Sequence, residues 1–285
     1  WEKVLWRSQE YPDNHIPDSF LSSLRKNANF RPYTYWSLVL GSCPITQHLA
    51  TIFIFLAVFV QLRQRTLDPR LLVWISIGGF IAGYMVWEWL DYRQTVRSHQ
   101  QTNRAKIVKS SILVFLALMA LSPVLKTLSA ATSSDSIWAL SACLFTLNVV
   151  FADYSSVRLG AEIRERLTSV LSMNAAISAS VVLASRLSDD LSVFSLVLFS
   201  VQLFALFPLL RHRLQAMPSV VSAVFAMFLS ALSIYLSSAL STTVTFIFIY
   251  VFVFVTFIAP GMLVWSQKYK NEIRGPWDVA VPKLN

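Results

Sequence analysis

Of 285 residues, 55% are hydrophobic and only 14% are charged, whereas roughly a quarter of an ordinary soluble domain is charged. The formal net charge of +9 sits in short basic clusters between long apolar runs, the pattern of membrane-flanking loops and not of a nucleic-acid surface. Together these features argue against a soluble enzyme with a membrane tail and against a nucleic-acid partner.

In chain order, residues 1–35 come first and read as a cytosolic amphipathic segment. Trp1 to Arg31 is polar and mixed in charge, unlike a cleavable signal peptide. Pro17 can open a helix at its first turn. Beyond it Phe20, Leu21 and Leu24 share one face, and Ser22, Arg25 and Lys26 another. This predicts a helix lying in the cytosolic interface; the alternative is a loop drawn to anionic lipid by its charges.

Residues 36–265 read as a polytopic, all-α transmembrane helix bundle. A bilayer core takes about 20 apolar residues per helix. That ruler places about eight spans: Trp36 to Leu62, Leu71 to Leu90, Ser110 to Leu125, Ser136 to Phe151, Thr168 to Leu187, Leu191 to Leu210, Pro218 to Leu240 and Thr243 to Trp265. The third and fourth are short. In the eighth, Phe246, Phe248, Tyr250, Phe252 and Phe254 alternate as a strand would. An open strand, however, would leave its backbone unpaired in lipid, so a helix is expected there too. Residues 266–285 form a cytosolic tail.

Orientation follows from the cations. Of 24 Lys and Arg residues, 19 fall in the N-terminal segment, the second, fourth and sixth loops and the tail, which puts both termini in the cytosol. The sixth loop's share is Arg211 and Arg213. Small residues mark seams where helices approach closely: Gly79 and Gly83; Ser172, Ala176, Ser180 and Ala184; Ser222, Ala226 and Ser230.

Ionisable and amide groups in or beside the spans are the places to look for function. Glu88 ends the second span among Trp87, Trp89 and Asp91. Lys126 follows Pro123, Asp153 and Tyr154 follow the fourth span, and Arg186 ends the fifth. Asn174 and Gln202 lie within apolar helices and need hydrogen-bond partners there. Cys43 and Cys143 have no metal-ligand or CxxC spacing. Walker A, GxGxxG, HExxH and GxSxG motifs are absent. Glu2 and Glu10 have an E-x7-E spacing, but no nucleotide-binding segment surrounds them. No catalytic residues, metal site or cofactor are therefore expected of this chain, and an activated soluble substrate would be bound by another subunit.

Several short motifs converge on one family. They run from Tyr11-Pro12-Asp13-Asn14, Leu24-Arg25-Lys26-Asn27 and Tyr33-x-Tyr35-Trp36 through Ser122-Pro123-Val124-Leu125-Lys126, Phe151-x-Asp153-Tyr154 and Leu171-Ser172-Met173-Asn174. They continue with Leu183-Ala184-Ser185-Arg186-Leu187, Gln202-x-Phe204-Ala205-Leu206-x-Pro208 and Gly275-Pro276-Trp277-Asp278. In order and number they resemble the C subunit of the phosphatidylinositol N-acetylglucosaminyltransferase complex. Residues 155–167 match no family pattern, and the last spans match only in composition.

The resemblance implies a non-catalytic, multi-pass subunit in the endoplasmic reticulum membrane. Its complex would transfer N-acetylglucosamine from UDP-N-acetylglucosamine to phosphatidylinositol, the first step of GPI-anchor biosynthesis. The implied partners are the other subunits, including the catalytic A subunit, with phosphatidylinositol and bilayer lipid. On sidedness, Arg93, Arg97, Lys106 and Lys109 are candidates to hold the lipid phosphate. Glu88, Ser122, Pro123, Lys126, Asp153, Asn174, Arg186, Gln202, Pro208, Pro276, Trp277 and Asp278 are candidates for packing and for contacts with other subunits. The rival reading is a small polytopic transporter with Glu88, Asn174 and Gln202 along its path, but the internal repeats such folds carry are not found.

Overall fold

A computed structural model of the chain describes residues 6–12, 32–94, 104–127, 133–154, 167–215 and 217–272. The expected interfacial helix around Pro17, Glu2 and the Gly275-to-Asp278 motif lie outside these residues.

All regular structure among the described residues is helical, as the composition requires of a chain in lipid. The helices are α1 (Tyr35–Arg63), α2 (Pro69–Gln94), α3 (Arg104–Thr127), α4 (Ser134–Phe151), α5 (Leu167–Ala184), α6 (Asp190–Val201), α7 (Phe207–Gln215), α8 (Ser219–Ser238), α9 (Thr242–Val253) and α10 (Ala259–Glu272). Two π turns, Gln202–Leu206 and Phe254–Ile258, join α6 to α7 and α9 to α10. Among the described residues six helices, counting each joined pair once, are long and apolar enough to cross a membrane. The apolar stretches of α3 and α5, Ile112–Val124 and Val170–Ala184, are shorter.

Local chemistry sets several boundaries. At the end of α1, Arg65 takes a left-handed conformation, φ 58°, which stops the helix. Three residues on, the Asp68 carboxylate accepts the Arg70 N–H at 2.9 Å, and Pro69 begins α2 where a missing N–H costs nothing. Each π turn is followed two residues later by a proline, Pro208 and Pro260. A proline supplies no N–H to the ladder; just before Pro208 the chain widens, and the Phe207 N–H reaches back to the Gln202 carbonyl. Arg211 and Arg213 were expected in a loop. Both lie on α7, because no breaker intervenes before Pro218.

The chain divides into two compact units. In the first, residues 1–39 with 257–285, the buried Gln267 side chain clamps the backbone of Tyr33, accepting its N–H at 2.6 Å and donating to its carbonyl at 3.0 Å. The second, residues 40–256, holds the main core. Its central element is the portion of α1 from Gly41 onward, where Ala50, Phe55 and Phe59 have no exposed area. Gln47 donates to the Ser222 carbonyl and hydroxyl of α8 at 2.9 and 3.1 Å, and Gln61 to the Leu236 carbonyl at 3.2 Å. In lipid such cross-helix bonds and close packing replace the missing hydrophobic drive.

The aromatic run in α9 resolves as a helix. Phe248 and Phe252, one turn apart, face the core, where Phe53 stacks on Phe248 at 3.9 Å between centroids. Phe246, Tyr250 and Phe254 face outward. Trp74, Met85, Met119, Met227 and Phe228 are likewise exposed, as apolar side chains that lipid covers would be.

Two of the expected small-residue seams are used closely. Ser172, Ala176, Ser180 and Ala184 are all buried on α5, which packs chiefly against α4. Gly79 lies against Gln202. With the Gln202 amide turned to satisfy both its groups, its nitrogen donates to the Ser76 carbonyl at 3.1 Å and its oxygen accepts the Phe80 N–H at 3.0 Å. In that orientation a Cβ at position 79 would stand 2.5 Å from the amide oxygen of Gln202. Gly79→Ala is therefore expected to dislodge this amide and cost about 1–2 kcal/mol, in the range of overpacking. Equilibrium unfolding in mixed micelles checks it, and Gly83→Ala, where the added Cβ meets nothing within 4 Å, should be near neutral.

Candidate functional site

The alternation of helices collects polar groups at two ends of the larger unit. At one end Arg65 donates to Ser188 (3.2 Å), the Ser122 hydroxyl donates to the Asp190 carbonyl (2.7 Å), and the Arg63 guanidinium lies 5.6 Å from the Trp138 ring centre. The other end holds a denser cluster. It is built from His48 of α1, the C-terminal turn of α4 with Asp153 and Tyr154, the first turns of α5, and Arg211 of α7.

Asn148 is the hub. Only 3% exposed, it donates from Nδ2 to the Ser172 carbonyl and hydroxyl, both at 2.9 Å. The Ser172 hydroxyl returns a bond to the Asn148 carbonyl at 2.7 Å, so α4 and α5 are linked reciprocally. The amide orientation leaves Oδ1 facing His48 Nε2 at 2.8 Å. Since Oδ1 can only accept, Nε2 carries the proton, and in the neutral ring Nδ1 is the acceptor. Nδ1 lies 2.8 Å from the Tyr154 hydroxyl, which is also 3.0 Å from the Val149 carbonyl. One phenolic proton thus serves two acceptors. Burial pushes the Tyr154 hydroxyl up from its ordinary value of 10 to about 12, against the opposing pull of Arg211, so it keeps its proton at physiological pH.

Arg211 is 3% exposed. Its guanidinium sits over the Tyr154 ring at 5.7 Å, within cation–π range. Nη1 and Nη2 donate over long distances, 3.4 Å to the Pro44 carbonyl and 3.5 Å to the Asp153 carbonyl. Nε has no hydrogen-bond partner. Beside it opens a cavity of 140 Å³ lined by His48, Asn148, Asp153, Ser172, Pro208 and Arg211, with Val170, Phe204 and Ala205 among its apolar walls. Among the described residues no group of three or more His, Cys, Asp or Glu side chains could hold a metal ion.

Of the residues predicted from sequence, Asp153 and Pro208 meet at this cavity, and Gln202 holds the π turn that forms part of its wall. Glu88 is half-buried and accepts from the Tyr84 hydroxyl at 3.1 Å. Ser122 and Pro123 line an apolar groove of 570 Å³ at the opposite end. Arg186 lies half-buried in the turn after α5. Asn174, expected to bond across helices, is exposed on the outer face of α5, because the seam residues Ser172 and Ala176 turn inward and carry it out. Arg93, Lys106, Lys109 and Lys126 stand on α2 and α3, but their side chains lie outside the described residues, as do Arg97, Pro276, Trp277 and Asp278 altogether.

Sequence reasoning missed His48, Asn148 and the burial of Arg211. The available signal was a histidine and an asparagine well inside two apolar runs, the same criterion that selected Asn174 and Gln202.

The sequence profile of the family described as phosphatidylinositol N-acetylglucosaminyltransferase matches residues 1–278. The chain is 41% identical over 286 aligned positions to the phosphatidylinositol N-acetylglucosaminyltransferase GPI2 subunit of Schizosaccharomyces pombe, covering 100% of this chain and 87% of that one. Against the C subunit of the same enzyme from Homo sapiens, identity is 34%, with 98% and 92% covered. The corresponding C subunit of Dictyostelium discoideum is also 34% identical, over 98% of this chain and 79% of that one. No solved structure matches. With a profile spanning nearly the whole sequence and relatives aligned from end to end, the chain belongs to the phosphatidylinositol N-acetylglucosaminyltransferase family.

Proposed function

We propose that the chain is a membrane subunit of the complex that transfers N-acetylglucosamine from UDP-N-acetylglucosamine to phosphatidylinositol, and that it anchors a catalytic partner and presents the lipid acceptor. The observation that carries this reading is its end-to-end similarity to proteins named as subunits of that enzyme. The described chain is spent on apolar helices, and the longest segment between successive helices, residues 152–166, is too short for a nucleotide-sugar domain. The sugar donor is therefore assigned to another subunit. Presenting the inositol headgroup in a fixed pose spares the reaction an orientational search, the usual gain from positioning.

The same reading puts the chain in the endoplasmic reticulum with both termini cytosolic, so that the His48–Arg211 end faces the cytosol with most of the cations. It also keeps Arg93, Arg97, Lys106 and Lys109 as cytosolic contacts for anionic headgroups.

The test is purification of the tagged chain from membranes in mild detergent, followed by an assay of transfer from UDP-N-acetylglucosamine to phosphatidylinositol. Activity is expected in the co-purified complex and not in the chain isolated from its partners. Activity in the isolated chain would overturn the division of labour, and neither activity nor a glycosyltransferase partner in any preparation would overturn the function.

A further inference from the structure

The polar cavity beside Arg211 combines three features that a purely structural cluster does not need. It contains a cation, 3% exposed, whose Nε has no partner and whose other bonds are long, at 3.4 and 3.5 Å. It has space: 140 Å³, well above the roughly 10–15 Å³ that a single water needs. Besides Arg211 and Asp153, its polar lining is an imidazole, an amide and a hydroxyl: His48, Asn148 in the last turn of α4 and Ser172 in the second turn of α5. A guanidinium with unspent N–H donors is the group best matched to a phosphate oxygen, through short charge-assisted bonds. Asp153 also lines the cavity, and its charge attracts Arg211, which tempers the site without filling the donors.

We infer that this cavity is a phosphate-binding site, with Arg211 as its charged ligand and Ser172 and Asn148 beside it, and that the phosphate it takes is that of a lipid headgroup. The site itself stands on the geometry; the lipid source rests on the subunit reading above and on the cavity's place at the end of apolar helices. Val170, 37% exposed, belongs to the cavity wall and marks an approach from outside the bundle. The π turn supports the same arrangement, since Phe204 and Ala205 within it and Pro208 after it form part of the cavity wall.

The experiment titrates the full-length chain in detergent with short-chain phosphatidylinositol, with diacylglycerol of the same chain length, and with inorganic phosphate, reading the rise in Tm that binding to the folded state produces. Phosphatidylinositol should give a saturable rise and diacylglycerol none. Arg211→Gln should raise the half-saturating concentration at least about tenfold, the scale of one lost charged hydrogen bond. Val170→Trp, which plugs the approach and leaves Arg211 and its partners in place, should do the same even if Arg211→Gln does not fold. Asp153→Asn should lower it.

An equally strong, Arg211-dependent response to inorganic phosphate would keep the anion site and overturn its assignment to a lipid. Equal responses to phosphatidylinositol in wild type and Val170→Trp, or a response to diacylglycerol of the same size, would overturn the proposal and leave a water-filled cavity. Either failure is separable from failure of the subunit reading, which is read from co-purified transferase activity.

Discussion

Replacing Asn148 with leucine is expected to destabilise the chain by about 2–4 kcal/mol. The substitution orphans the His48 Nε2–H, a buried donor whose loss of partner costs about 1–3 kcal/mol, and removes two bonds to Ser172 worth about 0.6 kcal/mol each between membrane helices. Unfolding in mixed micelles measures the loss. Ser172→Ala should cost less, because the Asn148 amide retains the Ser172 carbonyl and His48. The double variant His48→Leu with Asn148→Leu should recover part of the loss, since removing both partners leaves no orphan across that bond. A change below about 1 kcal/mol in Asn148→Leu would mean the cluster is not what ties α4 to α5.

Phe55→Ala should have the next largest effect. Its ring has no exposed area and meets Phe204 and Phe145 at 5.4 and 5.8 Å between centroids, while those two stand 5.8 Å apart. In water, emptying such a site costs about 3–5 kcal/mol. Part of that is transfer from water, which weighs little when the alternative solvent is lipid, so the lost packing contacts leave about 2–3 kcal/mol. Phe55→Leu, nearer in volume, should stay under about 1.5 kcal/mol. Because Phe204 belongs both to this trio and to the wall of the polar cavity, Phe55→Ala should also weaken phosphatidylinositol-dependent stabilisation. Unchanged binding alongside reduced stability would show that the trio serves packing alone.

The helices were legible because lipid demands long apolar runs. The expected Trp36 to Leu62 became Tyr35–Arg63, and Ser136 to Phe151 became Ser134–Phe151. The inward faces were not, since lipid-facing and core-facing positions are alike in hydropathy. Asn174 and Asn148 show the difficulty: two asparagines in neighbouring apolar helices, of which the one singled out turned outward and the other became the hub. Gln202 was legible as a cross-helix donor, because a long amide within an apolar run has few other uses. The π turns left only an indirect trace in Pro208 and Pro260, since a missing donor does not specify how the backbone will widen. Arg211 read as a loop cation by its neighbourhood in sequence; only the convergence of α1, α4 and α7 shows it buried.

The Asn148–Ser172 link joins residues only 24 positions apart, whereas Arg211 reaches Pro44 across 167. Nothing C-terminal to α5 is needed to make the first, so α4 and α5 can seal into a hairpin while the rest of the chain is still being synthesised. The anion site can close only after α7 has been delivered to the bilayer and has met α1. Biogenesis thus reaches the binding function late, on a scaffold whose central hairpin has already been secured.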